Sequence, residues 1–399
     1  MRCIGNLTAQ SHVIFVKMNM RYFLTTILLI IVTSLDVLGQ EKVRIGLFTN
    51  KELQEIQFLV DQGGALLQTE SSSIILSSGT SIILKNNDGM VSAHADTIHF
   101  NAKKITLQAT NIETVFQIQF SAKTRKLKYG EQLEFRVINN KLEIVNVMPL
   151  DTYISGVVEA EGGPNHELEY YKSQAIISRT YLLSQFYKHV DDGYNLCDQT
   201  HCQAFNGLPK HEHIMTNAAE QTKSLVIVDE NANLITSAFH SNCGGRTNSS
   251  EYVWTRALPY CRETVDTFCI KMPNSNWEKI IPVNDWKNYL AKKRLSSSDS
   301  ANYAYFPGEK ERFYREGQTR VPLVDMRKDL KLKSTYFSAY QEGEEMVLVG
   351  QGFGHGVGLC QEGAIRQAQL GYNFEDIIHF YYYNVKIIPF QYIAFFKFE

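Results

Sequence analysis

The 399-residue chain lacks an excess of either charge: 40 lysines and arginines stand against 42 aspartates and glutamates, a formal net charge of −2. That balance provides no field to collect nucleic acid or an anionic membrane surface, so neither is expected as a partner. The HExxH pattern of zinc hydrolases is missing, and so are a GxSxG elbow and a Ser-His-Asp order, which leaves the common metallohydrolase and serine-hydrolase arrangements without support. No internal repeat of the kind that builds solenoids is present.

Long apolar runs are also scarce, and the one that stands out lies at the N-terminus. In "MRYFLTTILLIIVTSLDVLGQ", Arg21 precedes an apolar run from Tyr22 to Val32 that ends near Gly39, and Lys17 adds a second positive charge upstream. This is the layout of a secretory signal peptide over residues 1–39, with Met18 or Met20 as alternative starts. The run is too short for a comfortable membrane span. No cysteine stands at the cleavage point, which argues against a lipoprotein. The expectation is an exported protein of the periplasm or cell envelope with no stable membrane span once the leader is removed. Export places the seven cysteines in an oxidising compartment, where pairing is plausible but not obligatory, and Cys3 departs with the leader.

What remains has globular proportions, 44% hydrophobic and 21% charged, and a length that suits two domains or one large one with an attached module. Residues 40–136 read as strands, with "VRIGLF", "SIILSS", "TSIILK", "TIHF" and "VFQIQF" broken by Gly, Asn and Asp. From 137 onward strands and helices mix, so the class expected is α+β: a β-rich module, then a mixed α/β domain to 399 with a charged insertion around 271–316. A strand pair is predicted about Asn231-Ala232-Asn233, and helices near His211–Lys223, over 361–370 and in "NFEDIIHFYY".

The stretch "LDTYISGVVEAEGGPNHELEYYKSQAIISRTY" carries the sharpest local signal. Leu150, Tyr153, Ile154, Val157 and Val158 recur at helical spacing, and the next position on that face is Glu161. Glu159 points to the opposite side, toward water. Gly162-Gly163-Pro164 ends the helix and a second begins near Asn165. A carboxyl on an apolar face loses hydration in its charged form, so its pKa rises and it can donate a proton near neutrality. The competing assignment is an acid paired with Arg179 on the second helix.

"CDQTHC" sets Cys197, His201 and Cys202 within reach of one ion, with His189, His240 and Cys243 as further donors; by residue type the ion is zinc, and a disulfide is the alternative. "FHSNCGGRTNSSEYVW" and "GQGFGHGVGLCQEGA" each join a histidine to glycines that let backbone approach a ligand closely. The second has GxGxxG-like spacing but no βαβ unit, which disfavours a nucleotide site.

Taken in order, "PLDTYISGVVEAE", "YKSQAIISRTY", "CDQTHCQAF", "FHSNCGGRT…EYVW" and "GQGFGHGVGLCQEGA…LGYNFEDIIHFYY" resemble the stage II sporulation protein D family, which includes the amidase enhancers. The collinear match runs from about Met148 to Ile388. It implies a peptidoglycan lytic transglycosylase acting on glycan strands stripped of stem peptides, with the glutamate of the "VVxxE" element, here Glu161, as its acid. It implies a structural zinc on Cys197, His201 and Cys202, with His189 as the further candidate. Gln174, Arg179 and Tyr181 fall on the family's "QAxxxRTY" element and are expected to orient or support Glu161, with core packing as the alternative, and His240, Ser241, His355 and Gln361 are candidates to line the glycan groove. The chain departs from the family at Gly162-Gly163, where relatives commonly have Met-Pro. The same resemblance carries a different expectation, a non-catalytic wall-binding module that stimulates a cell-wall amidase.

Overall fold

The computed structural model describes residues 41–95, 98–120, 126–295, 304–316 and 318–393; the leader expected over 1–39 lies outside them. The period-two alternation of the first half becomes two β-sheets packed face to face. One runs, in spatial order, Leu196–Cys197, Lys42–Leu47, Lys141–Pro149, Gln132–Ile138, Lys104–Ala109, Gly64–Gln68 and Ser73–Ser77. The other runs Leu127–Tyr129, Val115–Gln119, Glu55–Gln62, Ser81–Asn87, Met90–Ala95 and Ile98–Ala102. Ile56, Phe58 and Val60 alternate inward from the second sheet against Ile105, Leu107 and Phe135 of the first, and the Phe58 and Phe135 rings stack at 6.0 Å.

The boundary expected at 136 falls inside the strand Gln132–Ile138, which turns directly into Lys141–Pro149. Lys42–Leu47 pairs with that second strand on one side and, in parallel, with Leu196–Cys197 on the other. Sandwich and helices therefore share one sheet and one continuous core. Composition shifts near 136, but hydrogen bonding does not.

Pro149 ends the last strand and opens α1 (Leu150–Gly162); α2 (Leu168–Ser184) returns beside it, and α3 (Glu212–Gln221) covers both. After these come α4 (Ser250–Val253), α5 (Val283–Lys292), α6 (Leu323–Asp329), α7 (Gln361–Gln369) and α8 (Phe374–Tyr381). Asn373 caps α8 by accepting from the Asp376 N–H at 2.8 Å. The strand pair expected about Asn231-Ala232-Asn233 is largely replaced: Leu225–Val228 pairs with Lys386–Pro389, and the nearer segment adds one bridge, Val228 to Leu234. The charged segment belongs to a satellite with its own core around Trp277, Trp286 and Phe337, built on a three-stranded sheet of Asn276–Pro282, Phe337–Glu342 and Glu345–Gln351.

Arg179 is fully buried, and its contacts are those of the packing alternative rather than of a partner to Glu161. Its guanidinium donates to Asp151 Oδ1 at 2.9 Å, to the Ala219 and Thr222 carbonyls at the end of α3, and to the Leu225 carbonyl. It ties α1, α2, α3 and a strand together and forms no ion pair with Glu161. A planar fork suits this set of acceptors and a lysine does not, so Arg179→Lys is expected to cost about 2 kcal/mol in chemical denaturation, with the lost charge-assisted bonds as the cause.

Candidate functional site

Glu161 sits in the last turn of α1, where the apolar face meets the Gly162-Gly163 stop; Gly163 takes φ 70° and its N–H returns to the Glu159 carbonyl. Glu161 Oε1 accepts from the Ala204 N–H at 2.7 Å, and its backbone carbonyl accepts from Gln361 Nε2 at 3.0 Å. Burial pushes its carboxyl up and the Ala204 N–H pulls partly back. Among the described residues no basic side chain forms an ion pair with it. The buried phenols Tyr153 and Tyr170 lie close enough for its charge to raise both, after burial, which contributes most.

The Ala204 donor was not legible, because a backbone N–H has no side-chain signature. Its position follows from Gly156, where α1 meets the loop: a Cβ there would lie 2.5 Å from the Gly207 carbonyl oxygen and 2.6 Å from the Phe205 ring. That close approach lays residues 203–207 against the helix and aims the N–H at the acid.

Glu159 differs from expectation. It does not face open water but accepts from the Lys210 and His211 N–H groups at 2.9–3.0 Å and lies 2.8 Å from His211 Nδ1, which binds the entry to α3. These donors favour the anion and outweigh burial, so its carboxyl is lowered while that of Glu161 is raised. Glu159→Gln is accordingly expected to lower stability by about 1 kcal/mol at neutral pH, as charge-assisted bonds become neutral ones. A group depressed in the fold stabilises above its unfolded pKa and loses that contribution as the pH falls through the folded value. Denaturation curves of wild type and Glu159→Gln should therefore converge in acid.

The loop that presents Ala204 begins at the edge strand Leu196–Cys197. Cys197, His201, Cys202 and His189 are brought together, with one ligand atom from each lying within 4.8 Å of all the others. Cys197 Sγ is 3.2 Å from His201 Nδ1, and Cys202 Sγ is 3.4 Å from His189 Nε2. His189 Nδ1 lies 2.9 Å from Asp192 Oδ2, the outer carboxylate that fixes ring orientation in metal-binding histidines. Two thiols and two imidazoles suit a tetrahedral zinc, so the donor set fits the metal expected. His240 and Cys243, also weighed for this ion, lie elsewhere in the fold. Tyr181 OH and Lys188 Nζ both donate to the His201 carbonyl, at 3.2 and 2.6 Å, so Tyr181 holds the loop rather than touching Glu161.

Gln174 is buried within α2 and, among the described residues, reaches only Ser178 Oγ, at 3.5 Å. Gln361 is next to the acid, as its bond to Glu161 shows. His240 is 4% exposed, so it lies beneath any groove rather than lining it. Its Nδ1 is 3.1 Å from the Val357 carbonyl, and its ring lies 5.5 Å from that of His355, which also contacts Trp254 at 5.7 Å. Burial lowers both histidines, His355 to about 4, so both are neutral imidazoles at pH 7. Ser241 is half-buried, and its carbonyl accepts from the Glu362 N–H in the first turn of α7.

A desolvated single carboxyl at a helix end, beside a Cys/His loop, lies within the part of the chain that a family model recognises: residues 138–228 match SpoIID, the Stage II sporulation protein family. The resemblance read from the sequence motifs is shown by this match and by similarity to individual proteins. An uncharacterized protein of Brachyspira hyodysenteriae is 26% identical over 69% of this chain and 77% of its own length. Stage II sporulation protein D of Bacillus amyloliquefaciens is 27% identical over 63% of this chain and 77% of its own. The Amidase enhancer of Bacillus subtilis is 26% identical over 57% of this chain and 39% of its own. Among the described residues no helix is long and apolar enough to cross a membrane.

Proposed function

We propose that this protein is a lytic transglycosylase of the cell envelope that cleaves the bond between N-acetylmuramic acid and N-acetylglucosamine in glycan strands, preferentially strands free of stem peptides. The observation that supports this most is the state of Glu161, a carboxyl whose burial raises its pKa at a helix end where no cation among the described residues neutralises it. Protonated, it gives its proton to the glycosidic oxygen; as the carboxylate it takes the proton of the muramyl C6 hydroxyl, whose oxygen closes on C1. One carboxyl serves both steps, so a second one is not needed, unlike the pairs of hydrolytic glycosidases. Ala204 N–H stabilises the carboxylate form, and Gln361 anchors the helix end that bears it. Zinc held by Cys197, His201, Cys202 and His189 would fix the loop carrying Ala204, and its role there would be structural.

Mass spectrometry of purified strands tests this. Products are expected to end in 1,6-anhydro-N-acetylmuramic acid, lighter by one water than hydrolytic fragments, and to take up no label from ¹⁸O water. Labelled reducing ends would require an activated water and overturn the mechanism. The similarity to an Amidase enhancer supports a second reading, a non-catalytic wall-binding partner of an amidase. No cleavage of intact sacculi or of amidase-treated strands, with stimulation of a cell-wall amidase, would establish that reading instead.

A further inference from the structure

A second group of metal-binding side chains lies outside this site. Cys243, Asp266, Cys269 and Cys360 are each no more than 1% exposed, and their ligand atoms lie within 4.8 Å of one another. We infer that these four residues form a second, buried zinc site, independent of the Cys/His loop and of the reading of Glu161 as the acid.

The spacing is that of a coordination polyhedron. Cys243 Sγ lies 3.3 Å from Cys269 Sγ and 3.3 Å from Asp266 Oδ2. A tetrahedron with metal–sulfur bonds of about 2.3 Å has edges of roughly 3.8 Å, so an ion seats with little adjustment. Three thiols cannot all be consumed by disulfides among themselves, and the fourth group is a carboxylate.

The surroundings are arranged for negative charge. The Cys243 N–H donates to Cys360 Sγ at 3.2 Å, and the Gly245 N–H donates to Cys269 Sγ at 3.3 Å. The second bond depends on a turn through Gly244 and Gly245, at φ 69° and 94°, which ordinary side chains rarely adopt. The Lys310 ammonium is bound to the Cys243 and Arg246 carbonyls at 2.7 and 2.6 Å, beside the sulfurs. Three thiolates and a carboxylate around a divalent ion retain a net negative charge that such a cation offsets; a neutral disulfide gives it less to balance.

Asp266 is oriented as a ligand would be. Its Oδ1 accepts from the Phe268 N–H at 3.0 Å, while its Oδ2 faces the sulfurs and accepts from Tyr381 OH at 2.9 Å. Gly363 makes room for that contact, since a Cβ there would lie 2.2 Å from Tyr381 OH and 2.3 Å from Asp266 Oδ2. Such outer partners fix the direction of metal-binding side chains. The ion would join the glycine turn, the 266–269 segment and the start of α7, where Cys360 pairs in register with His240 and precedes Gln361. It would thus hold the residue that anchors Glu161.

The test is metal analysis of the full chain purified from an exporting bacterial host without added reductant. Wild type is expected to carry about two zinc ions per chain, Cys269→Ser and Asp266→Asn about one, Cys202→Ser about one, and the Cys202→Ser/Cys269→Ser double variant close to none. Cobalt-loaded Cys202→Ser should keep thiolate-to-metal charge-transfer absorption, because its remaining site has three sulfur ligands. Should the cluster variants fail to fold, wild type decides alone through metal content and a non-reduced peptide map. A single zinc per wild-type chain that Cys202→Ser removes, or a map joining any two of Cys243, Cys269 and Cys360, would overturn the site. Zinc content in Glu161→Gln should match wild type, so failure of the catalytic reading leaves this result standing.

Discussion

Glu161→Gln is expected to lose about 10² to 10⁴ in turnover of glycan strands, the usual contribution of a positioned acid, while its fold and strand binding persist. Glutamine keeps the shape, and its carbonyl oxygen can still accept from the Ala204 N–H, now at 2.7 Å from Glu161 Oε1. What it lacks is the transferable proton. The variant should also be at least as stable as wild type at neutral pH. A carboxyl raised by burial binds its proton more tightly in the folded than in the unfolded state, so folding stability falls as the pH rises from the unfolded to the folded pKa. The neutral amide escapes that loss. The same shift is expected to set the alkaline limb of the wild-type rate above the ordinary carboxylate range. A Glu161→Gln enzyme that keeps more than about a tenth of wild-type kcat, with an unchanged pH profile, would remove Glu161 from the chemistry.

The desolvation of Glu161 was readable from the sequence because the relevant physics is local. Five apolar positions at helical spacing determine which way the sixth points, and Glu161 follows Val157 and Val158 onto the packed side. Glu159 was misread by the same reasoning, since periodicity gives the direction of a side chain and not what the chain brings to meet it. Its partners lie 51 and 52 residues on, at Lys210 and His211. The partners of Arg179 were beyond local reach in the same way, with acceptors in α1, in α3 and at Leu225. The Cys/His loop was legible because most of its donors lie within one short segment. Cys243, Asp266, Cys269 and Cys360 come from three separated segments, and no spacing rule joins them. The strand Lys42–Leu47 likewise finds its neighbours about a hundred and more residues away, at Lys141–Pro149 and Leu196–Cys197. α+β class and β-rich beginning were readable from alternation; the seam between the sandwich and the helices was not, because a shared sheet is a pairing rather than a composition.

Cys202→Ser is expected to release the zinc proposed for the Cys/His loop and to lower thermal stability sharply, because structural zinc contributes on the order of 10 kcal/mol of apparent binding free energy where its ligands are otherwise unordered. Here the ligands sit on a partly ordered frame, with Cys197 on the edge strand and His201 held through its carbonyl by Tyr181 and Lys188, so the loss is smaller than that bound but still several degrees in Tm. The effect on activity separates a structural ion from a catalytic one. Two residues beyond Cys202, the Ala204 N–H donates the hydrogen bond that lowers the Glu161 carboxyl against its burial. If the loop loosens, that donor is withdrawn and the carboxyl rises further. The alkaline limb of the Cys202→Ser rate profile should therefore move to higher pH, measured well below the variant's Tm, while the products remain 1,6-anhydro ends. A structural zinc predicts that shift together with residual turnover. Complete loss of activity in folded Cys202→Ser, restored by zinc at a stoichiometry matching the rate and with no change in the profile, would mean instead that the ion takes part in the bond-breaking step.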